Sequence, residues 1–127
     1  MSTFEVSVCA SFRAVHGLPL GGGGMEEAHE HSWEVTATFR GTRLDSEMGV
    51  VIDFLTVRDA LGRIVSQFGG QDLNTLDAFG GVTTSTENVA ACIAGKLTGE
   101  LTPEPALYRL AVTEAPGCSA AYYPGDP

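Results

Sequence analysis

Two stretches of this chain alternate apolar and polar residues, and each carries histidine on its apolar side. Residues 4–16 put Phe4, Val6, Val8, Ala10, Phe12 and Ala14 on one parity, with Glu5, Ser7, Ser11 and Arg13 on most of the other. Residues 31–40 set Trp33, Val35, Ala37 and Phe39 against Glu34, Thr36, Thr38 and Arg40. A period of two marks a strand with one buried face. His16 falls on the apolar parity of the first stretch, and His29 and His31 on that of the second.

His29 and His31, two residues apart, point to the same face of a strand. His16, at the end of another strand, can approach them from a neighbouring position. Three imidazoles placed so can cap a divalent metal and leave a fourth position open, the arrangement of catalytic zinc sites. They are the only histidines in the chain. Spacing alone leaves core or surface histidines as the alternative.

The remaining pattern fills out an α+β fold. Gly21 to Gly24 reads as a flexible connector. Turn formers between Gly41 and Gly49, followed by β-branched Val50-Val51-Ile52, predict a hairpin of about 31–40 with about 48–53. From Phe54 the period becomes helical, with Val57, Leu61, Ile64, Val65 and Phe68 on one stripe. Asp53 or Thr56 caps this helix, and Gly69-Gly70 ends it. Thr84-Ser85-Thr86-Glu87 carries the Thr-x-x-Glu capping box, and Val89, Ile93 and Leu97 continue a second helix. Thr102 to Ala106 reads as a loop, and Leu107 to Glu114 as a last strand with Tyr108, Leu110, Val112 and Glu114 on one parity. The order is strand, strand, strand, helix, helix, strand: helices packed on an antiparallel sheet, in a single domain spanning 1–127.

Glu114 stands out at an inward strand position. A buried carboxylate is costly unless paired or hydrogen-bonded. It therefore has a partner, curves into solvent at the strand end, or receives a ligand.

Charge and composition exclude several function classes. Sixteen acidic residues against seven Lys and Arg give a net charge of −9. That disfavours non-specific nucleic-acid binding and attraction to an anionic membrane. No apolar run approaches the ~20 residues of a membrane span, and Met1 to Val8 lacks the segments of a signal peptide. A cytoplasmic location is expected. Cys9, Cys92 and Cys118 are odd in number and lack C-x-x-C spacing, which reads as free thiols.

Six motifs in order then resemble one family, the 6-pyruvoyltetrahydropterin and 6-carboxytetrahydropterin synthases. Phe12-Arg13-Ala14-Val15-His16-Gly17-Leu18 is similar to the family's F-x-A-x-H-x-L, and His29-Glu30-His31 to its H-G-H. Met48 to Phe54 is similar to G-[MV]-V-x-D-F, Leu73-Asn74 to the L-N after the first helix, Ser85 to Ala90 to P-T-x-E-N-[LIV]-A, and Val112-Thr113-Glu114 to E-[TA] on the last strand. The resemblance spans essentially the whole sequence. It implies the tunnelling fold, in which a four-stranded antiparallel sheet with two helices trimerises into a barrel and trimers pair into hexamers. Such assembly would also account for apolar strand faces that look too extensive for one small monomer.

The resemblance further implies zinc held by His16, His29 and His31, and a small-molecule pterin anchored by Glu114, with Ser85 and Thr86 completing the ring pocket. The implied reaction is triphosphate elimination from, or side-chain cleavage of, 7,8-dihydroneopterin triphosphate or a related dihydropterin. The sequence departs from the family pattern where protons are moved. The usual catalytic Cys position holds Met25, and the usual Asp-His pair falls on Gly69 and Gly70. One subgroup of the family uses Glu-x-x-His instead of the Cys motif. Glu26 stands in that relation to His29, with Glu27 beside it, so these two are the candidate acid/base residues. The alternative is a zinc- and pterin-binding protein without the family's catalysis.

Overall fold

A computed structural model describes residues 2–125; the expected domain limits of 1–127 lie just outside that range. The elements in chain order are β1 (Phe4–His16), β2 (His29–Gly41), α1 (Phe54–Ser66), α2 (Thr86–Glu100), β3 (Leu107–Ala115) and β4 (Cys118–Tyr122), with short 3-10 turns at Leu73–Thr75 and Asp77–Phe79. The strands form one antiparallel sheet in the order β1-β2-β3-β4. This is the α+β architecture expected, with both helices on one face.

The apolar parity found in the sequence is the face that the helices cover. Val8, Phe12, Ala14, Trp33, Val35, Ala37, Leu110 and Val112 are buried there. They meet Val57, Leu61 and Ile64 of α1 and Val89, Ile93 and Leu97 of α2. The helices cover most of this parity, while Phe4 at the start of β1 remains 44% exposed. Exposed large side chains stand on loops and helix starts, among them Leu20, Met25, Met48, Phe54, Leu55 and Val82, and on the strands at Phe4, Tyr108 and Tyr122.

Each helix starts at a side-chain cap. Asp53 accepts from the Leu55 amide at 2.9 Å at the start of α1. Ser85, not Thr84, caps α2, accepting from Asn88 N at 3.1 Å. The cap is thus one residue later and is a simple N-cap, since Asn88 turns its Nδ2 to Thr83 and Thr84 bonds to Asn74. Helix α1 ends at Ser66 with Gln67 as its C-cap, before Gly69-Gly70.

The hairpin expected between 31–40 and 48–53 does not form. Strand β2 has β1 and β3 as its two neighbours, so neither of its edges is free. Residues 45–50 close a tight turn, in which the Asp45 carboxylate accepts from the amides of Met48 and Val50. The β-branched run packs by its side chains: Ile52 lies against the core. The fourth strand is β4, joined to β3 across the Pro116-Gly117 turn, where Gly117 takes φ +79°.

Strand β3 carries an irregularity opposite Thr38 and Phe39, which pair with Arg109 and Leu107. The extra residue, Tyr108, leaves the core parity. It is exposed, with the Arg40 guanidinium 3.7 Å above its ring. Beyond this bulge the alternation resumes and brings Glu114 to the same sheet end as the histidines.

Candidate metal centre

Strand register assembles the histidines. In the β1–β2 ladder His16 lies directly opposite His29, and Ala14 opposite His31. The three imidazoles therefore share the helix-covered face, at adjacent and diagonal positions. Their ring centroids are 4.6 to 5.3 Å apart. Trp33 forms the floor, its ring 4.8 Å from His16 and 5.9 Å from His31. Its Nε1 donates to the Ala14 carbonyl at 3.2 Å. Trp33 also lies parallel to Phe12, at 5.9 Å between centroids.

The ring nitrogens are already assigned by their neighbours. His16 Nδ1 lies 2.8 Å from the Thr84 carbonyl oxygen, and His29 Nδ1 lies 3.0 Å from the Glu27 carbonyl oxygen. A carbonyl only accepts, so each Nδ1 carries a proton and Nε2 is the nitrogen left to face the site. His31 Nε2 is buried with no hydrogen-bond partner. One nitrogen from each ring falls in a group whose members all lie within 4.8 Å of one another. Outward Nδ1–H groups held by backbone oxygens and inward lone pairs are how proteins orient histidine toward a metal. The donor set fits zinc. Burial, with His29 and His16 nearby, lowers the pKa of His31 below its usual 6.5 against the opposing charges of Glu114 and Glu26.

A second ring of contacts holds the site. Asn74 Oδ1 accepts from Gly17 N at 3.0 Å and from Thr84 Oγ1 at 2.9 Å, and its Nδ2 donates to the Gly17 carbonyl at 2.8 Å. Asn74 thus ties the end of β1 to the loop that orients His16. The 70–72 segment runs along β1, through Gly70 N to Arg13 O and Val15 N to Gln71 O. These contacts are the residues that sequence reasoning missed. Leu73-Asn74 and Thr84 were visible as motif positions, but backbone carbonyls leave no mark in a residue pattern.

The structure brings Glu114 to the three histidines. Its Oε1 lies 3.0 Å from His16 Nε2, and its Oε2 lies 3.9 Å from His31 Nε2. Thr86 Oγ1 donates to Oε1 at 3.2 Å. Ser85 faces its own helix as cap. Glu26 has a structural bond: its Oε1 accepts from Leu18 N at 2.9 Å, while its own amide donates to the Leu18 carbonyl. Glu27 contributes its backbone oxygen to His29, and its side chain is exposed. Met25 is 53% exposed and touches none of this hydrogen bonding with its side chain. The Glu30 carboxylate points to the other face of the sheet, where it pairs with Arg13.

A four-stranded antiparallel sheet with two helices on one face, and three histidines gathered at one strand end, is the plan of the tunnelling-fold proteins. The family model for 6-pyruvoyl tetrahydropterin synthase matches residues 5–125, and the chain belongs to that family. It is a divergent member, with Met25, Gly69 and Gly70 at the expected positions of the catalytic Cys and Asp-His pair. The solved structure of 6-pyruvoyl tetrahydropterin synthase from Caenorhabditis elegans is similar over 98% of both chains, at TM-score 0.87 and 20% identity. The Plasmodium vivax synthase covers 96% of this chain and 98% of its own, at TM-score 0.78 and 17% identity. Two further structures of it carry alanine or cysteine in place of a glutamate described as a catalytic residue. A search of curated proteins finds no match. Among the described residues, no helix is long and apolar enough to cross a membrane.

Proposed function

We propose that this protein is a zinc-dependent lyase acting on 7,8-dihydroneopterin triphosphate or a related dihydropterin, by triphosphate elimination or side-chain cleavage. The observation that carries this reading is the convergence of three imidazoles with the Glu114–Thr86 pair at one end of the sheet. His16, His29 and His31 would hold the metal. When bound, it supplies Lewis-acid stabilisation of the charge that develops as a carbon-bound proton of the pterin substituent is lost.

Glu114 would anchor the pterin. The guanidine-like edge of that ring offers parallel N–H donors, which suit a carboxylate accepting through both oxygens. Backbone groups of Ser85 and Thr86 would complete the ring pocket. Glu26 is the candidate general base. Leu18 N fixes one oxygen of its carboxylate, leaving the other for a proton. Its charge reaches His31. A glutamate described as catalytic in the Plasmodium vivax relative supports looking for the base among carboxylates. Glu27 is the less favoured candidate, since it reaches His29 through its backbone oxygen rather than its carboxylate.

We also infer a homo-oligomer, trimer or hexamer, in the cytoplasm. The sheet is open, with β1 and β4 as its edges. An edge strand presents unpaired N–H and C=O groups to a neighbour. The 70–72 segment covers β1 only near Arg13 to Val15.

The test is to incubate zinc-loaded protein with 7,8-dihydroneopterin triphosphate and identify pterin products and released triphosphate by mass spectrometry. A 6-pyruvoyl, 6-carboxy or 6-hydroxymethyl product that disappears with Glu26→Ala supports the lyase and its base. The second reading is a zinc- and pterin-binding protein without catalysis, favoured by Met25, Gly69 and Gly70 at the proton-transfer positions. It requires pterin binding that depends on Glu114, with substrate left unchanged.

A further inference from the structure

We propose that the end of the sheet remote from the histidines carries a second small-molecule site, which takes a flat aromatic carboxylic acid and holds its acid group on Arg40. The proposal goes beyond the proposed function and stands without the metal or pterin readings.

Strand register builds this site. The irregularity opposite Thr38 and Phe39 turns Tyr108 out of the core parity, so its ring is exposed instead of buried. Arg40 of β2 covers it, with the guanidinium carbon 3.7 Å from the ring centroid. Tyr123, one residue past β4, meets Tyr108 edge to face, with centroids 5.6 Å apart and planes at 82°. Arg109 Nε donates to the Tyr123 hydroxyl at 3.0 Å and fixes that ring from its polar end. Two guanidiniums thus bracket two phenol rings. Arg40 lies at the opposite end of β2 from His29, roughly 35 Å away at strand rise.

A cavity of about 400 Å³ opens among these side chains, lined by Arg40, Ala106, Leu107, Tyr108, Tyr123 and Gly125. That size lies within the range of small-molecule sites. Ala106, Leu107 and Gly125 also line an adjoining hollow of about 250 Å³, whose other walls include Phe39, Leu101 and Pro103. Apolar floor, aromatic walls and a cation at the rim suit a guest with a flat apolar body and an anionic head.

The charge at the rim is a local exception in a chain of net charge −9. Among the described residues Arg109 forms no ion pair, and its partner, the Tyr123 hydroxyl, is neutral. Arg40 pairs with Glu5 through Nε at 2.7 Å. That bond leaves the Nη groups of the Arg40 fork for a second acceptor. Both partners of the pair are about half exposed, 47% and 50%, so it is weak and readily shared. A carboxylate matches two parallel N–H donors of a guanidinium. A carboxylate carried directly on an aromatic ring is a compact guest that meets Arg40 and the tyrosine wall together.

The experiment titrates 2-naphthoate into isotope-labelled, zinc-loaded protein and follows the backbone amide resonances. The uncharged 2-naphthylmethanol is the control ligand, and Arg40→Gln and Tyr108→Ala are the variants. Expected are saturable shifts at residues 106–109 and 123, half-complete below about 1 mM. The alcohol should bind at least about tenfold more weakly, and so should the acid to Arg40→Gln. Tyr108→Ala, which removes the stacking wall but keeps the cation, should also weaken the acid; it carries the test if Arg40→Gln fails to fold. Three results would each overturn the proposal: no saturation by about 5 mM, an alcohol that binds as tightly as the acid, or shifts centred on His29, His31 and Trp33.

Discussion

His16 Nδ1 meets the carbonyl oxygen of Thr84 at 2.8 Å across 68 residues of sequence. That contact fixes which nitrogen of His16 faces the site. Its strength depends on Asn74, which holds both Thr84 Oγ1 and the Gly17 backbone. Replacing Asn74 by Ala removes three hydrogen bonds without touching any of the three histidines. Outer contacts of this kind commonly control metal affinity by about 10–100-fold. Asn74→Ala is expected to weaken zinc binding at the lower end of that range, measured by chelator competition, with the helical circular dichroism kept. Unchanged affinity would mean that Thr84 holds its place without Asn74.

The protein has one tryptophan, and it underlies the histidine cluster. Trp33 is fully buried, so its emission should be blue-shifted in the metal-free protein. Zinc binding at rings 4.8 and 5.9 Å away will change the charge and motion of two of its neighbours. A saturable change in emission is expected on zinc titration, and cobalt(II) should quench. His29→Ala should abolish the response at micromolar metal, although His29 is not one of the rings in contact with Trp33. A response that survives His29→Ala would locate the metal elsewhere.

Acid should loosen the metal-free fold in a defined window. Burial first, then the neighbouring His29 and His16, hold the His31 pKa below 6.5 in the folded protein. The unfolded state therefore binds more protons at this position as pH falls through about 6.5, and stability rises with pH there. The urea midpoint should drop between pH 7.5 and 5.5, then flatten once pH passes the lower folded value. His31→Asn should show a smaller drop. Zinc should flatten the slope near neutrality, because bound metal keeps the rings unprotonated until acid displaces it. A midpoint that rises on acidification would contradict the stated direction.

Most of the fold was legible because its strands have one wet face. The alternation in 4–16 and 31–40 gave β1, β2 and the shared side of all three histidines. Val50-Val51-Ile52 misled because β-branched residues serve equally in a strand and in a packed loop, and only the sheet order decides. Strand β4 was missed because Cys118 to Tyr122 is short and its middle residues are small. Its one clear signal, Pro116-Gly117, marks the turn but not the strand beyond it. Tyr108 kept the alternation on paper, yet the bulge puts it outside. At the site, the parity of Glu114 told that the carboxylate was inward. It could not tell that the partner would be His16 Nε2, because that distance depends on how β3 and β1 are spaced across β2.

Glycine substitutions separate steric need from helix propensity. Gly17 sits where β1 leaves the sheet, and a Cβ built there would lie 3.0 Å from the Glu26 carbonyl oxygen. That neighbour is backbone and is itself tied, since the Glu26 amide donates to Leu18 O. Gly17→Ala must push apart the loop that carries Glu26, at a cost of about 1–3 kcal/mol. A lower thermal midpoint and weaker zinc binding are expected together. Gly62 lies inside α1, and a Cβ there meets nothing within 4 Å. Gly62→Ala should therefore stabilise the protein by up to about 1 kcal/mol, through helix propensity alone. It should leave zinc affinity unchanged. Thermal melts of both variants, with and without zinc, provide the check. If Gly17→Ala melts as wild type does, the close approach of β1 to the Glu26 loop is not what shapes the metal centre.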